Sequence, residues 1–546
     1  KIYFNSIAAI FFQFNALSGI IIAIGLLIFS RIAFMLSIYG FYIAYFFYSW
    51  LGGNLAELSY TYIGFNYILT AIAIGGFFLI PSKKTFLWLL LLIPLVTLIT
   101  ISLSKIFLVF RLSVYSLPFN IVVLMFIYAL KFRVNPKKEL DEVIIQQNHP
   151  ERNLYSFQNQ KTKAYHRHLV PFQLPFYGTW TVSQSHDGEY THKAGWRHAF
   201  DFIITDDNNK QFKNLGLYLS DYYCFGKSVL APADGTVEKV INSVKDNDIG
   251  KVNLVNNWGN TVVIKHADYL YSSLSHLKEG SVVLKEGDPV KKGQKIGEVG
   301  NSGRSPYPHL HMQFQVTPFV GSETLYYPLS YFINSRDGGN ALQSFDVPEK
   351  EARIANIECN WFLKNAFDFI PGKKLEVHYS VNGADKKTAW EIYTNPWNQS
   401  YLYEKETKSL AYFVNDGCMM NFTAFRGDKK SVLFSFYTGF YKILLAYYKN
   451  IPVRDELPQN ETFRFPLITL QDFLSPFYLF LKTEYINHNI GADNDLQPKH
   501  LQMKTVLQHK FFGKILKSKG FDIDISPDAL EYKTNFNGNE LYVKIQ

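Results

Sequence analysis

The sequence has few cysteines and, over its first 130 residues, few charged side chains. Cys224, Cys359 and Cys418 are too few and too far apart along the chain for a disulfide framework, and no CxxC pair is present. No basic run with interleaved aromatic residues occurs, so we expect no nucleic-acid partner. An HExxH motif is also missing, which excludes a metallopeptidase that uses that glutamate as its general base.

Length and charge divide the chain into parts. Its 546 residues are enough for three or four domains at about 150 residues each. The net charge of +9 favours an anionic neighbourhood such as a membrane surface or a cell-wall polymer. Because most charges follow residue 130, we predict a membrane region first and soluble domains after it.

Long apolar runs recur at the start of the chain. Several reach the roughly 18–20 residues that cross a bilayer as a helix, and the polar breaks between them are short. A cleaved signal peptide is excluded because the pattern repeats. We therefore predict an α-helical, multi-pass membrane region. Its apolar runs are 6–30, 32–50, 60–80, 86–104 and 114–131.

Three stretches of this region carry polar residues or proline at membrane depth. Such residues are tolerated where broken helices line a cavity. They also occur where small and polar side chains hold helices together, and both interpretations stay open. The stretches are "FFQFNALSG" (11–19), "TYIGFNYIL" (61–69) and "LSVYSLPF" (112–119). The pore candidates in them are Gln13, Asn15, Asn66 and Ser116.

Together these stretches resemble one repeat of the urea transporter family, whose motifs are FFQNNPLTG, GLYGFNGVL and LPxxTxPF. The likeness spans nearly all of 1–131, with Ser113 and Ser116 at the proline and threonine of the last motif and Ala9 near a pore Gln or Glu. The resemblance implies passage of urea or a similar small solute, contact with membrane lipids, and an oligomer formed through the membrane domain. That family uses two inverted repeats, so we expect a missing first half ahead of Lys1.

A polar, charged stretch follows the last apolar run. Pro136 ends any helix there, and we interpret residues 132–164 as a linker. From 165 to 335, short β-type runs are separated by glycine and proline. Alternating Val and Ile with Asp-Gly and Gly-Asn turns predict hairpins in an antiparallel β domain.

This β domain contains a histidine pair in the stretch "SPYPHLHMQF". On a strand, His309 and His311 point to the same side because they are two residues apart. Zinc-dependent hydrolysis needs three protein ligands, an open position for water and a group that moves a proton. Taken alone, the pair is equally compatible with two surface histidines. The other candidates for such a site are His192, His198, Asp201 and His276.

Residues 180–318 resemble the lysostaphin/LytM-type zinc endopeptidases, which cut the peptide bridges of peptidoglycan. The resemblance rests on an ordered set of motifs: "AP.DG.V", "GN.V.I.H", an "HL" after a short strand, "V..G..IG..G.SG" and "PHLH.Q". It implies Zn²⁺ as cofactor and a peptidoglycan peptide as substrate. It also implies the roles of four residues: zinc ligands at Asp201 and His311, and catalytic histidines at His309 and His276, the latter stabilising the oxyanion.

The remaining ligand departs from the common H-x-G-x-D pattern of that family. Arg197 stands four residues before Asp201, and His198 stands only three before it, on the opposite face of a regular strand. "THKAGWRHAFDF" instead resembles an "SH…YAxDF" form in which the ligand lies further upstream. We therefore favour His192 as the ligand and keep His198 as the alternative.

Residues 340–546 carry alternating aromatic residues that predict a β-rich domain, with a helix near 500–520. No catalytic constellation occurs there, so docking, partner binding and a purely structural role stay open. The predicted fold class is thus multi-domain: an α-helical polytopic membrane region, an antiparallel β-rich lysostaphin-type domain and a β-rich C-terminal domain.

The sequence therefore predicts a zinc peptidase in a bacterial inner (cell) membrane, with its peptidase domain facing the periplasm or the exterior. Basic residues after the last apolar run, among them Lys131 and Lys137, instead favour a cytoplasmic side. One alternative is a peptidase-like domain that binds wall peptides without cutting them. Another is a small-solute channel with an accessory soluble part. A third alternative is a lipoyl- or biotinyl-type carrier domain, but such a domain does not explain the histidine pair.

Overall fold

The computed structural model describes residues 1–13, 15–53, 64–132, 140–143, 146, 148–161, 170–336, 339–449, 451–494 and 498–546. The chain forms two compact units. The first consists of Lys1–Thr162, Glu456–Tyr485 and Leu507–Ser518. The second consists of Lys163–Asp455, Ile486–Val506 and Lys519–Gln546.

Apolar helices make up the N-terminal part of the first unit. They are α1 (Ile2–Ala9), α2 (Ala16–Phe29), α3 (Arg31–Trp50), α4 (Phe65–Ile72, continued by a π-helical turn over Ala73–Phe77), α5 (Lys83–Val109), α6 (Leu117–Leu130) and α7 (Pro150–Lys161). Within the described residues, α3 and α5 are long and apolar enough to cross a membrane. The helices α2, α4 with its turn, and α6 are apolar but shorter.

The three polar stretches of the sequence coincide with the starts of short helices. The predicted run 6–30 is interrupted, and the Asn15 side chain accepts a hydrogen bond from the Ser18 N–H (2.8 Å) at the start of α2. Helix α4 begins directly after Gly64, and the part of its motif before Gly64 lies outside the described residues. Pro118 lies in the first turn of α6, where its missing N–H leaves no bond unmade.

The first large antiparallel sheet lies within the second unit. The strands of the first sheet are β1 (Thr179–Gln184), β2 (Ala199–Ile203), β4 (Gly235–Ile241), β5 (Asn260–Ala267), β6 (Leu270–Leu277), β7 (Pro289–Val290), β9 (Leu310–Gln315), β10 (Leu329–Arg336), β11 (Gly339–Asp346) and β12 (Arg353–Asn356). Their order is β11-β10-β12-β1-β2-β9-β6-β5-β4-β7. Two further strands, β3 (Ser228–Leu230) and β8 (Lys295–Glu298), pair with each other.

Strand β9 lies near the middle of this sheet, and every one of its residues is buried. Its apolar members Leu310, Met312 and Phe314 join the core of the domain, so the residues between them point to the other face. The register places His311 opposite Asp201 of β2 and opposite Ser275 of β6. Pairing of distant strands therefore brings the histidine pair to the upstream aspartate.

The second sheet contains the strands of the C-terminal third. They are β13 (Lys374–Val381), β14 (Ala384–Thr394), β15 (Ser400–Glu404), β16 (Ser409–Asn415), β17 (Met419–Arg426), β18 (Lys442–Leu444), β19 (Val453–Leu457), β20 (Leu481–Ala492), β21 (Leu501–Phe511), β22 (Lys514–Ile525), β23 (Leu530–Phe536) and β24 (Asn539–Ile545). Their order is β18-β17-β16-β15-β14-β13-β24-β23-β22-β21-β20-β19. Helix α8 (Trp361–Ala366) lies between β12 and β13 in sequence, and helix α9 (Val432–Gly439) lies between β17 and β18.

The prediction of a helix near 500–520 is wrong, because this stretch forms strands β21 and β22 joined by a tight turn. Buried side chains alternate along β21 at Leu501, Met503 and Leu507, which is the period of a strand. Gly513 has a φ of +79°, in the left-handed region that glycine adopts without strain. The apolar and basic residues around the turn imitate an amphipathic helix only in composition.

Part of the predicted C-terminal domain belongs to the first unit. This part includes α10 (Gln459–Thr462) and α11 (Leu467–Leu474). Asp472 of α11 is buried, accepts hydrogen bonds from the Arg31 guanidinium of α3 and accepts one from the Tyr155 hydroxyl of α7 (2.7 Å). The fold class predicted from the sequence is confirmed: apolar helices first, then an antiparallel β-rich domain of the predicted type and a β-rich C-terminal region.

Candidate metal centre

Three buried side chains of the second unit direct ligand atoms to one point. Among the described residues, His192, Asp201 and His311 have candidate ligand atoms that all lie within 4.8 Å of one another. Asp201 Oδ1 is 2.8 Å from His311 Nδ1 and 3.2 Å from His192 Nε2. Asp201 and His311 come from the paired strands β2 and β9, whereas His192 lies in the loop between β1 and β2.

Each of these ligands is held by its other polar atom. His192 Nδ1 lies 2.9 Å from the Ser185 carbonyl, which only accepts, so Nδ1 carries the hydrogen and Nε2 faces the cluster. Asp201 Oδ2 accepts a hydrogen bond from Gln184 Nε2 (2.7 Å), leaving Oδ1 for the cluster. Such outer partners fix the tautomer and orientation of metal ligands.

The third ligand is oriented by its own strand. Gln313 follows His311 by two residues on β9, and its Oε1 lies 3.1 Å from His311 Nε2. The Gln313 amide nitrogen donates to Gln315 Oε1 and to the Ser322 carbonyl, which sets the direction of the amide. His311 therefore gives its Nε2–H to Gln313 and turns Nδ1 toward Asp201.

This donor set fits zinc. Two imidazole nitrogens and one carboxylate oxygen are the three protein ligands of a hydrolytic zinc site, which keeps a further position open for water. His192 Nε2 is buried and makes no hydrogen bond, although it lies close to Asp201 Oδ1. A buried polar atom without a partner costs free energy, and a bound cation at this point would supply one.

Two more histidines lie beside the three ligands. The rings of His276 and His309 are 4.8 Å apart, and His309 Nε2 is 3.8 Å from Asp201 Oδ1. His309 Nδ1 lies 2.9 Å from the Tyr307 carbonyl, and His276 Nδ1 lies 2.8 Å from the Ser302 carbonyl. Since both carbonyls accept, each ring has its hydrogen on Nδ1 when neutral and leaves Nε2 without one.

The backbone of His276 is strained in a way that fixes its ring. Its φ of +63° lies in the left-handed region, which costs a non-glycine residue about 1–3 kcal/mol. The backbone N–H donates to the Trp258 carbonyl (3.2 Å), so the neighbouring loop holds this conformation. Burial, together with the imidazoles of His309 and His311, keeps the pKa of His276 well below its ordinary value.

Asp201 is ionised in spite of its burial. Loss of solvent raises the pKa of a buried carboxyl, but the imidazoles of His309, His192 and His311 outweigh it and hold the pKa of Asp201 well below its usual range. The cluster thus offers a permanent negative charge at neutral pH, which favours a divalent cation.

The cluster opens into a cleft of about 580 Å³. Besides the site residues, aromatic side chains and one guanidinium group line it. These lining residues are Tyr190, Trp196, Trp258, Tyr307 and Arg304.

His198, the alternative ligand, lies outside the cluster. Its ring is 5.2 Å from that of His186 and 5.6 Å from that of Tyr326, and its backbone N–H donates to Thr324 Oγ1 (2.9 Å). The structure therefore brings His192, and not His198, to Asp201 and His311.

Substituting the two candidate histidines separately tests this assignment. We expect the full chain with His192→Ala to lose its bound zinc, because a ring nitrogen is missing from a three-donor site. The matched variant His198→Ala should keep one zinc per chain. Metal analysis by inductively coupled plasma mass spectrometry of both proteins, purified in detergent, provides the measurement. Equal zinc content in the two variants would overturn the choice of His192.

The four pore candidates all lie in the first unit. Asn66 is buried, and its side chain donates to the Tyr115 carbonyl (2.9 Å) and accepts from the Phe119 N–H (3.3 Å). It thereby ties the start of α4 to the start of α6. Gln13 is exposed, Asn15 caps α2, and Ser116 accepts hydrogen bonds from Asn120. Their role in a pore stays a prediction.

Sequence reasoning missed the groups that orient the ligands. Gln313 shares the "PHLHMQ" stretch with His311 and lies on the same strand face, so its position two residues on was a usable signal. Gln184 and the carbonyls of Ser185 and Ser302 gave no such signal. Their contacts depend on the irregular pairing of β1 with β2 and on the path of the loops beside the strands, which residue spacing does not predict.

Comparison with known proteins supports the two resemblances. Residues 1–131 match the family "Urea transporter", and residues 220–321 match "Peptidase family M23". These are the two families that the motifs of the sequence predicted.

Curated relatives match the peptidase part. An uncharacterized metalloprotease of Haemophilus influenzae is 37% identical over 91 residues, covering 17% of this chain and 16% of the relative. The peptidoglycan DD-endopeptidase ShyC of Vibrio cholerae is also 37% identical over 91 residues, covering 17% of this chain and 18% of the relative. The cell division protein DipM of Caulobacter vibrioides is 32% identical over 95 residues, covering 17% and 14%. The chain thus spans less than a fifth of the length of these relatives.

The solved structures that match part of this chain include two catalytic domains. That of the prophage-encoded M23 protein EnpA from Enterococcus faecalis, solved as a mutant, is 23% identical, with 28% of this chain and 93% of that chain covered and a TM-score of 0.19. That of lysostaphin from Staphylococcus simulans is 22% identical, with 27% and 87% covered and a TM-score of 0.18.

Proposed function

We propose that this chain is a membrane-anchored zinc metalloendopeptidase that cleaves the peptide cross-links of peptidoglycan. The observation that carries the proposal is the meeting of His192, Asp201 and His311 beside two histidines whose Nδ1 atoms are held by backbone carbonyls. The substrate class is supported by the match to Peptidase family M23 and by relatives named peptidoglycan DD-endopeptidases.

The chemistry follows from the residues around the cleft. Zinc held by His192, Asp201 and His311 would polarise the scissile carbonyl and lower the pKa of a water molecule. His309 and His276 present Nε2 without a hydrogen, so one of them accepts the proton of the attacking water. We assign this proton transfer to His309, whose new Nε2–H then protonates the departing amine. We assign His276 to the developing oxyanion, which it stabilises when its own Nε2 carries a hydrogen.

We place the protein in the bacterial inner (cell) membrane as a multi-pass protein, with the peptidase region facing the periplasm or the exterior. The apolar helices α3 and α5 support membrane insertion, and the substrate argues for the outer side. Lipids surround the membrane region in this proposal, and association of several copies through that region follows the urea transporter likeness.

Digestion of intact walls tests the proposed activity. We expect the full chain in detergent, loaded with zinc, to release soluble fragments from purified peptidoglycan sacculi. Mass spectrometry should then find cross-linked peptides converted to uncross-linked ones, with one new amine per bond cut. The variant His198→Ala should behave as the unaltered chain does. Zinc-loaded protein that sediments with sacculi and releases nothing would contradict the enzyme and favour a wall-binding role.

A second candidate function is passage of urea or a similar small solute, with a non-catalytic peptidase-like domain that binds the wall. The match of residues 1–131 to the urea transporter family favours it, and so does the buried Asn66 bridge at the start of two short helices. Solute flux through liposomes that contain the protein measures this function, and we expect that flux not to depend on the histidines of the cleft.

A further inference from the structure

Two of the three cysteines lie side by side in the second unit. Cys359 and Cys418 are 59 residues apart in sequence, yet their Sγ atoms are 3.2 Å apart. Cys359 follows β12 of the first sheet, and Cys418 lies in the hairpin between β16 and β17 of the second sheet. The third cysteine, Cys224, is buried elsewhere, and its thiol donates to the Pro308 carbonyl (3.1 Å). Sequence separation alone gave no sign of this contact.

Backbone hydrogen bonds hold the two thiols in register. The Asn360 N–H donates to the Leu445 carbonyl (2.8 Å), and the Leu445 N–H donates to the Cys418 carbonyl (2.8 Å). One residue therefore connects both cysteine-bearing segments. The Cys418 N–H also donates to Asp416 Oδ1 (2.9 Å), which fixes the hairpin.

The pair lies at a junction between the two sheets. A cluster of buried apolar residues joins Tyr331 and Ile333 of β10 to Met419 and Leu444 of the second sheet. Cys359 and Cys418 pack against the edge of this cluster and are only partly buried, so a small oxidant can reach them.

We propose that Cys359 and Cys418 form a reversible disulfide that links the segment after β12 of the first sheet to the hairpin between β16 and β17 of the second sheet. Bond formation requires the sulfur atoms to approach from 3.2 Å to about 2.05 Å. A compartment outside the cytoplasm would favour the oxidised form. The inference does not depend on the zinc site or on its chemistry.

Thiol–disulfide exchange with a small disulfide such as oxidised glutathione supplies the electron balance. The Cys359 thiolate attacks the glutathione disulfide and releases one reduced glutathione. Cys418 then loses its proton to solvent and displaces the second glutathione from the mixed disulfide. The two protein thiols lose two protons and two electrons, and one oxidised glutathione becomes two reduced molecules. Hydrogen bonding from Cys418, aided by nearby Lys364 and Lys292, lowers the pKa of Cys359 to about 7, which supplies thiolate for the first step.

Counting free thiols before and after oxidation tests the proposal. The full chain in detergent is equilibrated with oxidised glutathione, quenched with acid, denatured and alkylated. We expect alkylated cysteines to fall from three to one, with a linked peptide pair that contains Cys359 and Cys418 in the mass spectrum. In Cys224→Ser, used as the control, the pair should still form and leave no cysteine to alkylate.

Two further variants and a melting measurement show whether the two cysteines bond to each other or only react separately with the oxidant. In Cys359→Ser, and likewise in Cys418→Ala, no linked peptide should form. The oxidised natural chain should unfold at a temperature several degrees higher than the reduced chain, because the bond closes a long loop. Neither variant should show this redox dependence. Three alkylated cysteines after oxidation, or glutathione that stays attached to Cys359, would overturn the proposal.

Discussion

Replacing His311 with alanine is expected to remove zinc from the chain and to reduce wall hydrolysis to background. His311 contributes one of three ligand atoms and lies on the central strand β9, opposite Asp201. Without it, a histidine and a carboxylate remain, too few to hold a hydrolytic zinc in competition with solution. Since zinc supplies several kcal/mol of transition-state stabilisation, we expect a loss of about 10³-fold or more in rate. Metal analysis and the sacculus digestion measure the two effects.

The same variant separates the two candidate functions. His311 lies in the second unit, whereas residues 1–131 lie in the first, so urea flux through liposomes that contain the protein should be the same with and without His311→Ala. The melting temperature of the variant shows whether the domain still folds, and His198→Ala is the matched substitution outside the cluster. Zinc content that stays at one per chain in His311→Ala would refute the ligand set.

The parts of the site that the sequence predicted are those encoded in short motifs. The spacing of His309 and His311 predicts a shared strand face, and the order of the surrounding motifs led to His276 and Asp201. His192 was harder, because it lies in a loop where residue spacing does not set direction. Only the return of that loop to the Ser185 carbonyl turns its Nε2 toward Asp201.

Long-range pairing accounts for what the sequence did not predict. Gln184 contacts Asp201 only because β1 and β2 pair with an irregular register between them. The proximity of Cys359 and Cys418 likewise depends on the junction of two sheets. At 500–520, a mixed apolar and basic composition predicted a helix, whereas the alternation along β21 and the turn at Gly513 decide for strands.

Replacing His309 with alanine is expected to separate the two effects that His311→Ala combines: zinc is kept while hydrolysis is lost. His309 Nε2 lies 3.8 Å from Asp201 Oδ1, and His309 is not among the three residues whose ligand atoms converge. Its removal therefore leaves the donor set intact. A positioned proton-transfer group contributes about 10²–10⁴-fold, so the rate of wall cleavage should fall by that factor at unchanged zinc content.

The neighbouring His276 makes this expectation sharper. Its ring lies 4.8 Å from that of His309, so the two act on the same reacting atoms, and removing both should cost less than the product of the single losses. Added imidazole should restore part of the activity to His309→Ala, because the vacated space opens on the cleft. If His309→Ala loses zinc as His311→Ala does, His309 is a ligand and the division of roles is wrong. If it keeps both zinc and full activity, proton transfer falls to His276 alone.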